Sequence, residues 1–113
     1  MDFERLEVWQ RARALTVNVY RGVAECRDYG FRDQITRSAL SIPSNIAEGM
    51  ERGRDKEKCR FLWIAKGSCA ELRTQILIGT DIGYIGQPVA SLWLEESMRI
   101  SRMLTGLIGR ISE

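Results

Sequence analysis

The chain has 113 residues, 44% hydrophobic and 28% charged, with a formal net charge of +2. That is enough for one hydrophobic core and not for two, and the balance is that of an ordinary globular protein. It contains no histidine, so the commonest general base and the commonest metal ligand are both missing, and its three cysteines, Cys26, Cys59 and Cys69, cannot close as a set of disulfides.

Periodicity predicts helices and no strands. Helix one is expected from Arg5 to Cys26, with Trp9, Ala12, Leu15, Thr16, Val19, Tyr20 and Val23 on one stripe and Arg5, Arg11, Arg13 and Arg21 off it. Asp28, Tyr29 and Gly30 are read as a short loop that forces an antiparallel return, with Asp33 as the capping side chain of the next helix. Helix two then runs to Gly53 and carries two stripes. One is apolar: Ile35, Ala39, Ile42, Ile46 and Met50. The other is short and polar, built on Gln34, Arg37, Ser38, Ser41, Asn45, Glu48 and Arg52. Pro43 removes one donor in its middle and leaves the Ala39 carbonyl without its helical partner, which predicts a kink.

Asp55 is the expected N-cap of helix three, Lys56 to Ile82. Phe61, Ile64, Ala65, Ser68, Leu72, Gln75, Ile76 and Gly79 lie on one side of it, and Leu62, Cys69 and Arg73 follow a second track. The run Ala65, Gly67, Ser68, Cys69 and Ala70 is small, and a glycine inside a helix costs about 1 kcal/mol relative to alanine. Close approach of helix two is the expected compensation, with Ser38, Ser41 and Asn45 meeting Gly67, Ser68 and Glu71. Gly83 and Gly86 mark the last turn, and Pro88 opens helix four, which runs to Ile111 with a seam of Val89, Leu92, Trp93, Glu96, Ile100, Met103, Leu104, Leu107 and Ile111. Four long helices joined by short loops make an all-α, antiparallel up-down-up-down four-helix bundle in a single domain, residues 1–113.

Several blocks carry a resemblance. They are Leu6 to Gln10 followed by Val19-Tyr20, Gln34 through Arg52 with its Ser-Ile-Pro-Ser-Asn-Ile-Ala-Glu-Gly core, Phe61 through Ser68 with Glu71-Leu72, and Gly83-Tyr84-Ile85. Together they resemble the rRNA intervening-sequence proteins over nearly the whole chain. The resemblance implies a bundle that assembles as a homo-oligomeric ring of five, with a function that involves RNA. The accessory proteins of diversity-generating retroelements, which bind nucleic acid and a reverse transcriptase, look like distant relatives. The chain departs from the family at the first loop, which lacks the usual Phe-Pro and acidic residues, and at Arg32, where a hydroxyl cap is usual.

Two sets of residues are candidates for function. Arg37, Arg52, Arg54, Lys56, Lys58, Arg60 and Lys66 form a basic group around the turn between helices two and three, suited to the phosphates of structured RNA or DNA. In the implied ring the group is repeated about one axis and the local potential rises; alternatively it is a solvated end balanced by Glu51, Asp55 and Glu57. Gln34, Ser38, Ser41, Asn45, Glu48, Ser68 and Glu71 form a polar seam, read first as mutual hydrogen bonding that also serves the carbonyl freed by Pro43, and second as a ligand site.

Catalysis finds no support: no histidine activates a Ser or Cys, leaving Lys66 as the one base in a small-residue setting, and Glu48, Glu71 and Glu96 are too few for a carboxylate metal site. No cofactor, metal or catalytic residue is expected. No leader pattern and no unbroken apolar run of about 18 residues stands in the sequence, so neither secretion nor membrane spanning is expected, and the three unpaired cysteines fit a reduced, cytoplasmic setting. Trp63 lies off the helix-three stripe and is read as exposed or covered by another subunit. The rival to nucleic-acid binding is a module that docks a protein partner through the apolar surface near Trp63 and helix four.

Overall fold

A computed structural model describes residues 2–113. After a 3-10 turn at Phe3–Arg5 come four helices: α1 (Glu7–Gly22), α2 (Tyr29–Met50), α3 (Asp55–Asp81) and α4 (Gln87–Ser112). Each packs on its chain neighbours, α4 also returns to α1, and the diagonal pairs do not meet, which closes an antiparallel up-down-up-down square 43 Å long. Ile35, Ile42, Ile46, Leu62, Leu72, Ile76, Ile100 and Leu104 fill its axis, each fully buried. Burying each such side chain is worth about 1.5–3 kcal/mol, so this column supplies much of the stability.

The apolar stripe of α2 is buried from Ile35 to Met50 as periodicity predicts. Elsewhere the stripes are shifted. In α1, Val8 is buried and Tyr20 is 44% exposed. In α4, Ala90, Ser97 and Ser101 enter the core, while Val89 and Leu92 face water and Glu96 pairs with Arg11 of α1 at 3.1 Å. Ile64 of α3 is likewise exposed. The expected extent of α1 is too long, because the helix ends at Gly22, where Trp93 leaves no room: a methyl at Gly22 would lie 2.5 Å from the indole.

The caps differ too. Asp28, not Asp33, caps α2, its Oδ1 accepting from the Phe31 N–H at 3.1 Å, so the helix starts at Tyr29. Asp55 is the first residue of α3, and Arg54 is its N-cap with no side-chain bond. Acids at Asp55 and Glu57 still favour that end through the helix dipole. At its far end α3 closes in a Schellman turn: the N–H of Tyr84 reaches the Gly79 carbonyl at 2.8 Å, that of Gly83 reaches Thr80, and Gly83 takes φ +83°.

That turn docks on the first loop. Tyr84 Oη donates to Asp28 Oδ2 at 2.9 Å, and its ring meets Phe31 edge-on at 5.3 Å. Gly79 is required beneath them, because a Cβ there would lie 2.7 Å from both Phe31 and Ile85. The Phe31 N–H and then the Tyr84 hydroxyl hold the Asp28 carboxyl below its usual range.

Candidate nucleic-acid interface

Pro43 makes a demand on its surroundings before any site can be built. The helix α2 runs unbroken through it, yet the Ala39 carbonyl has lost its partner and is buried. Thr16 of α1 meets the demand. Its buried hydroxyl lies 2.9 Å from the Ala39 carbonyl and 2.7 Å from that of Ala12, and its single proton is shared between the two. The polar seam of α2, expected to serve this carbonyl, does not: Thr16 reaches it from the opposite neighbour. The signal was present as a lone hydroxyl in the apolar stripe of α1.

The seam itself joins α2 to α3. Ser38 Oγ is 2.9 Å from Glu71 Oε1, and Ser41 and Ser68 hydroxyls are 2.8 Å apart. Asn45 Nδ2 donates to Ser41 Oγ at 2.9 Å, and Ser68 Oγ lies 3.2 Å from the Ile64 carbonyl. These bonds fit one chain of donation, Asn45 to Ser41 to Ser68 to Ile64, in which each hydroxyl gives one proton and takes one. Such a chain has one register, since sliding either helix by a residue breaks all of it. Two predicted members stand outside. Gln34 is exposed and gives the seam only its carbonyl, to Ser38, and Glu48 turns to Arg52 at 3.1 Å.

Gly67 does not meet α2 either. It is exposed, and a methyl added there finds nothing within 4 Å. The close approach is at Gly49, where a Cβ would lie 2.9 Å from Phe61 Cβ and 3.1 Å from the Lys58 carbonyl. On the far side of α3, Cys69 is buried, and burial pushes its thiol up to about 11, against a smaller opposing pull from Arg73.

The basic group divides in three. Arg52, Arg54, Lys56, Lys58 and Arg60 lie together at the α2–α3 end. Arg37 stands apart, about 20 Å back along α2 at ~1.5 Å per residue. Lys66, half-buried, lies farther along α3, on the side of Cys69.

Within the end cluster the cations have different duties. Lys58 Nζ donates to the carbonyls of Met50 (3.1 Å) and Arg52, closing the C-terminus of α2. Two guanidiniums lie over the Phe61 ring, Arg52 at 4.7 Å and Arg60 at 5.3 Å from its centre. Arg52 is also held by Glu48, and Arg60 by Glu57 at 3.7 Å. Arg54 and Lys56 are exposed and make no ion pair among the described residues. Lys58 is therefore a structural cap, and Arg54 and Lys56 are the charges free to meet an anion.

Beside this cluster, α3 and the end of α4 form an open groove of about 870 Å³, walled by Cys59, Trp63, Ile64 and Ile111 and lined also by Asp55, Lys56, Glu57, Arg60 and Glu113. Trp63 is 54% exposed. Among the described residues, no three Cys, Asp or Glu side chains gather as metal ligands, and no helix is long and apolar enough to cross a membrane.

Comparison with known proteins follows the fold. The family model described as 23S rRNA-intervening sequence protein matches residues 4–106. A protein of unknown function from the S23 ribosomal protein family of Bacteroides thetaiotaomicron superposes with a TM-score of 0.84 at 23% identity, over 89% of this chain and 97% of that one. That likeness is one of fold. Among curated proteins none matches the chain.

Proposed function

Because the chain belongs to the 23S rRNA-intervening sequence protein family, we propose that it is a non-enzymatic, cytoplasmic, self-associating bundle that holds structured RNA or DNA by its phosphates. The observation that carries this reading is the α2–α3 end, where five cations run from Arg52 to Arg60 and two of them, Arg54 and Lys56, have no ion pair among the described residues. Lys58 and Phe61 fix the backbone and the guanidiniums around them, so the free pair projects from an ordered end rather than from a loose loop. The ring of five that the family resemblance implies multiplies this small charge about one axis. Arg37 and Lys66 lie outside the cluster and act, if a long duplex is bound, as flanking contacts. Phosphate contacts of this kind position a nucleic acid without reading its bases. A mobility-shift titration with an rRNA hairpin and a duplex DNA tests the reading. Binding of both is expected, with Arg54→Glu and Lys56→Glu together removing it, and no binding at low salt by a correctly folded oligomer would overturn it.

A second reading has its own observation. The groove beside Trp63 is mostly apolar, and an apolar side chain of a protein partner fits it better than a phosphate does. Stoichiometric recovery of one protein from nuclease-treated lysate, lost on Trp63→Ala, would favour that reading over the first.

A further inference from the structure

Two cations face the seam between α3 and α4. The register of these helices is fixed by contacts on both sides of the stretch. The Cys59 thiol donates to the Ile108 carbonyl at 3.9 Å, and the Ser97 hydroxyl, 3.3 Å from the Cys69 carbonyl, accepts from Arg73 Nη1 at 3.4 Å. Ser101, one turn on from Ser97 toward Ile108, therefore stands opposite the turn that carries Lys66 and Cys69. Lys66 and Arg73 lie two turns apart on the α4 side of α3, about 10 Å along its axis at ~1.5 Å per residue. Both charges oppose the rise of the Cys69 thiol, which places them on one side of the helix with Cys69 between.

Neither cation has a counter-ion. Lys66 and Arg73 are half-buried and make no ion pair among the described residues. The carboxylates on neighbouring turns serve elsewhere: Glu71 takes the Ser38 hydroxyl on the α2 side, Glu96 holds Arg11 on the α1 side, and Glu95 is exposed and pairs with neither cation. Half-burial removes part of the hydration of a charge, and an anion in the groove restores what the chain itself does not supply.

Between the cations Ser101 offers a hydroxyl. The residue is only 5% exposed, and its carbonyl accepts from Thr105 Oγ1 at 3.2 Å, but its own Oγ makes no hydrogen bond among the described residues. Ser68, Thr80 and Ser97, the other enclosed hydroxyls of α3 and α4, are all bonded. A hydroxyl this enclosed is costly to leave unpaired. The Ser101 oxygen is not sealed in, and on the α3-facing side of α4 it opens onto the groove between Lys66 and Arg73. We propose that Lys66, Arg73 and Ser101 form a site for one phosphate group, the cations pairing with its oxygens from either end and the serine hydroxyl donating between them. Two cations match the charge of close to −2 on a phosphate monoester better than the single charge of a backbone diester. The ligand is therefore a free phosphate ester or the terminal phosphate of a nucleic acid. The site is separate from Arg54 and Lys56.

Equilibrium dialysis of the whole chain against labelled inorganic phosphate, with ionic strength held by chloride, tests the site. Saturable uptake of one phosphate per chain is expected. Ser101→Ala should weaken it roughly tenfold, the loss of one hydrogen bond to a charged group, at an unchanged urea midpoint because the hydroxyl has no internal partner to lose. Lys66→Gln with Arg73→Gln should abolish uptake, and Arg54→Glu with Lys56→Glu should leave it intact. No saturable uptake by the wild type would overturn the site, as would undiminished uptake by Ser101→Ala. Loss of uptake in the Arg54 and Lys56 variant would also overturn it, since that marks diffuse attraction to net charge. A mobility shift with duplex DNA carrying or lacking a terminal phosphate separates the two sources. A preference for the phosphorylated end that Lys66→Gln with Arg73→Gln removes assigns the nucleic-acid terminus, and equal binding of both duplexes assigns a free phosphate ester. Binding of the unphosphorylated duplex reads the α2–α3 end and stands or falls apart from this site.

Discussion

Replacing Thr16 by valine probes the most demanding joint in the bundle. Valine keeps the shape of threonine and removes one hydroxyl, so packing on α2 is preserved while the Ala39 carbonyl, 2.9 Å away, loses the proton it shares with the Ala12 carbonyl. A buried acceptor left without a partner costs about 1–3 kcal/mol. For a chain of this size each kcal/mol lowers the melting temperature by roughly 4–6 °C, so a fall of about 4–18 °C is expected. The cause is checked by a second change. Pro43→Ala restores an N–H at the position that normally serves Ala39, so in that background Thr16→Val should cost under about 0.5 kcal/mol. Urea unfolding followed by circular dichroism, at one protein concentration, supplies all four corners of the cycle. Equal costs in the two backgrounds, or no cost in the native one, would refute the reasoning.

Other predictions concern the ends of the bundle and its thiols. Asp28 is held below its usual range by the Phe31 N–H and the Tyr84 hydroxyl, so the stability it adds is present above the unfolded carboxylate value of about 3.9 and is lost as pH falls through the lower folded value. Wild type should therefore exceed Asp28→Ala in melting temperature at pH 7, with the gap closing toward pH 2; a gap independent of pH would contradict this. Gly79→Ala should destabilise by about 1–3 kcal/mol, since its methyl would lie 2.7 Å from Phe31 and Ile85, and an unchanged urea midpoint would show that those rings yield freely. Cys69, raised to about 11 by burial, should resist iodoacetamide in the native protein at pH 8 while Cys26 and Cys59 react. Mass spectrometry of the alkylated peptides reads the difference, and equal modification of all three would count against the burial.

The helical architecture was legible because its signals are local. The Ile35–Met50 stripe, Gly83 and the small polar face of α2 each state their roles within a few residues, and the structure places Ser38 against Glu71 and Ser41 against Ser68 as their spacing implies. What escaped depends on partners distant in sequence. Whether Val8 or Tyr20 enters the core is settled by the rotation of α1 against α2 and α4, which one helix's period leaves open within a residue. The Arg11–Glu96 pair joins residues 85 apart, and the Thr16–Ala39 bond joins residues 23 apart. Lys58 is a local exception: its partners lie only eight and six residues back across the expected turn, at the Met50 and Arg52 carbonyls, but helical period does not say which side chain of the next helix closes that end. Gly67 was misplaced for a different reason: a small residue predicts close approach without saying by whom.

The phosphate contacts proposed for the α2–α3 end are tested most directly by the salt dependence of nucleic-acid affinity. Each phosphate neutralised contributes about −0.9 to the slope of log affinity against log salt on duplex DNA. The wild-type protein is expected to show a slope of about −2 or steeper, and Arg54→Glu with Lys56→Glu to flatten it by about 2 while lowering affinity alike for every sequence tried. A slope near zero, or a charge-reversed protein that binds as the wild type does, would contradict it.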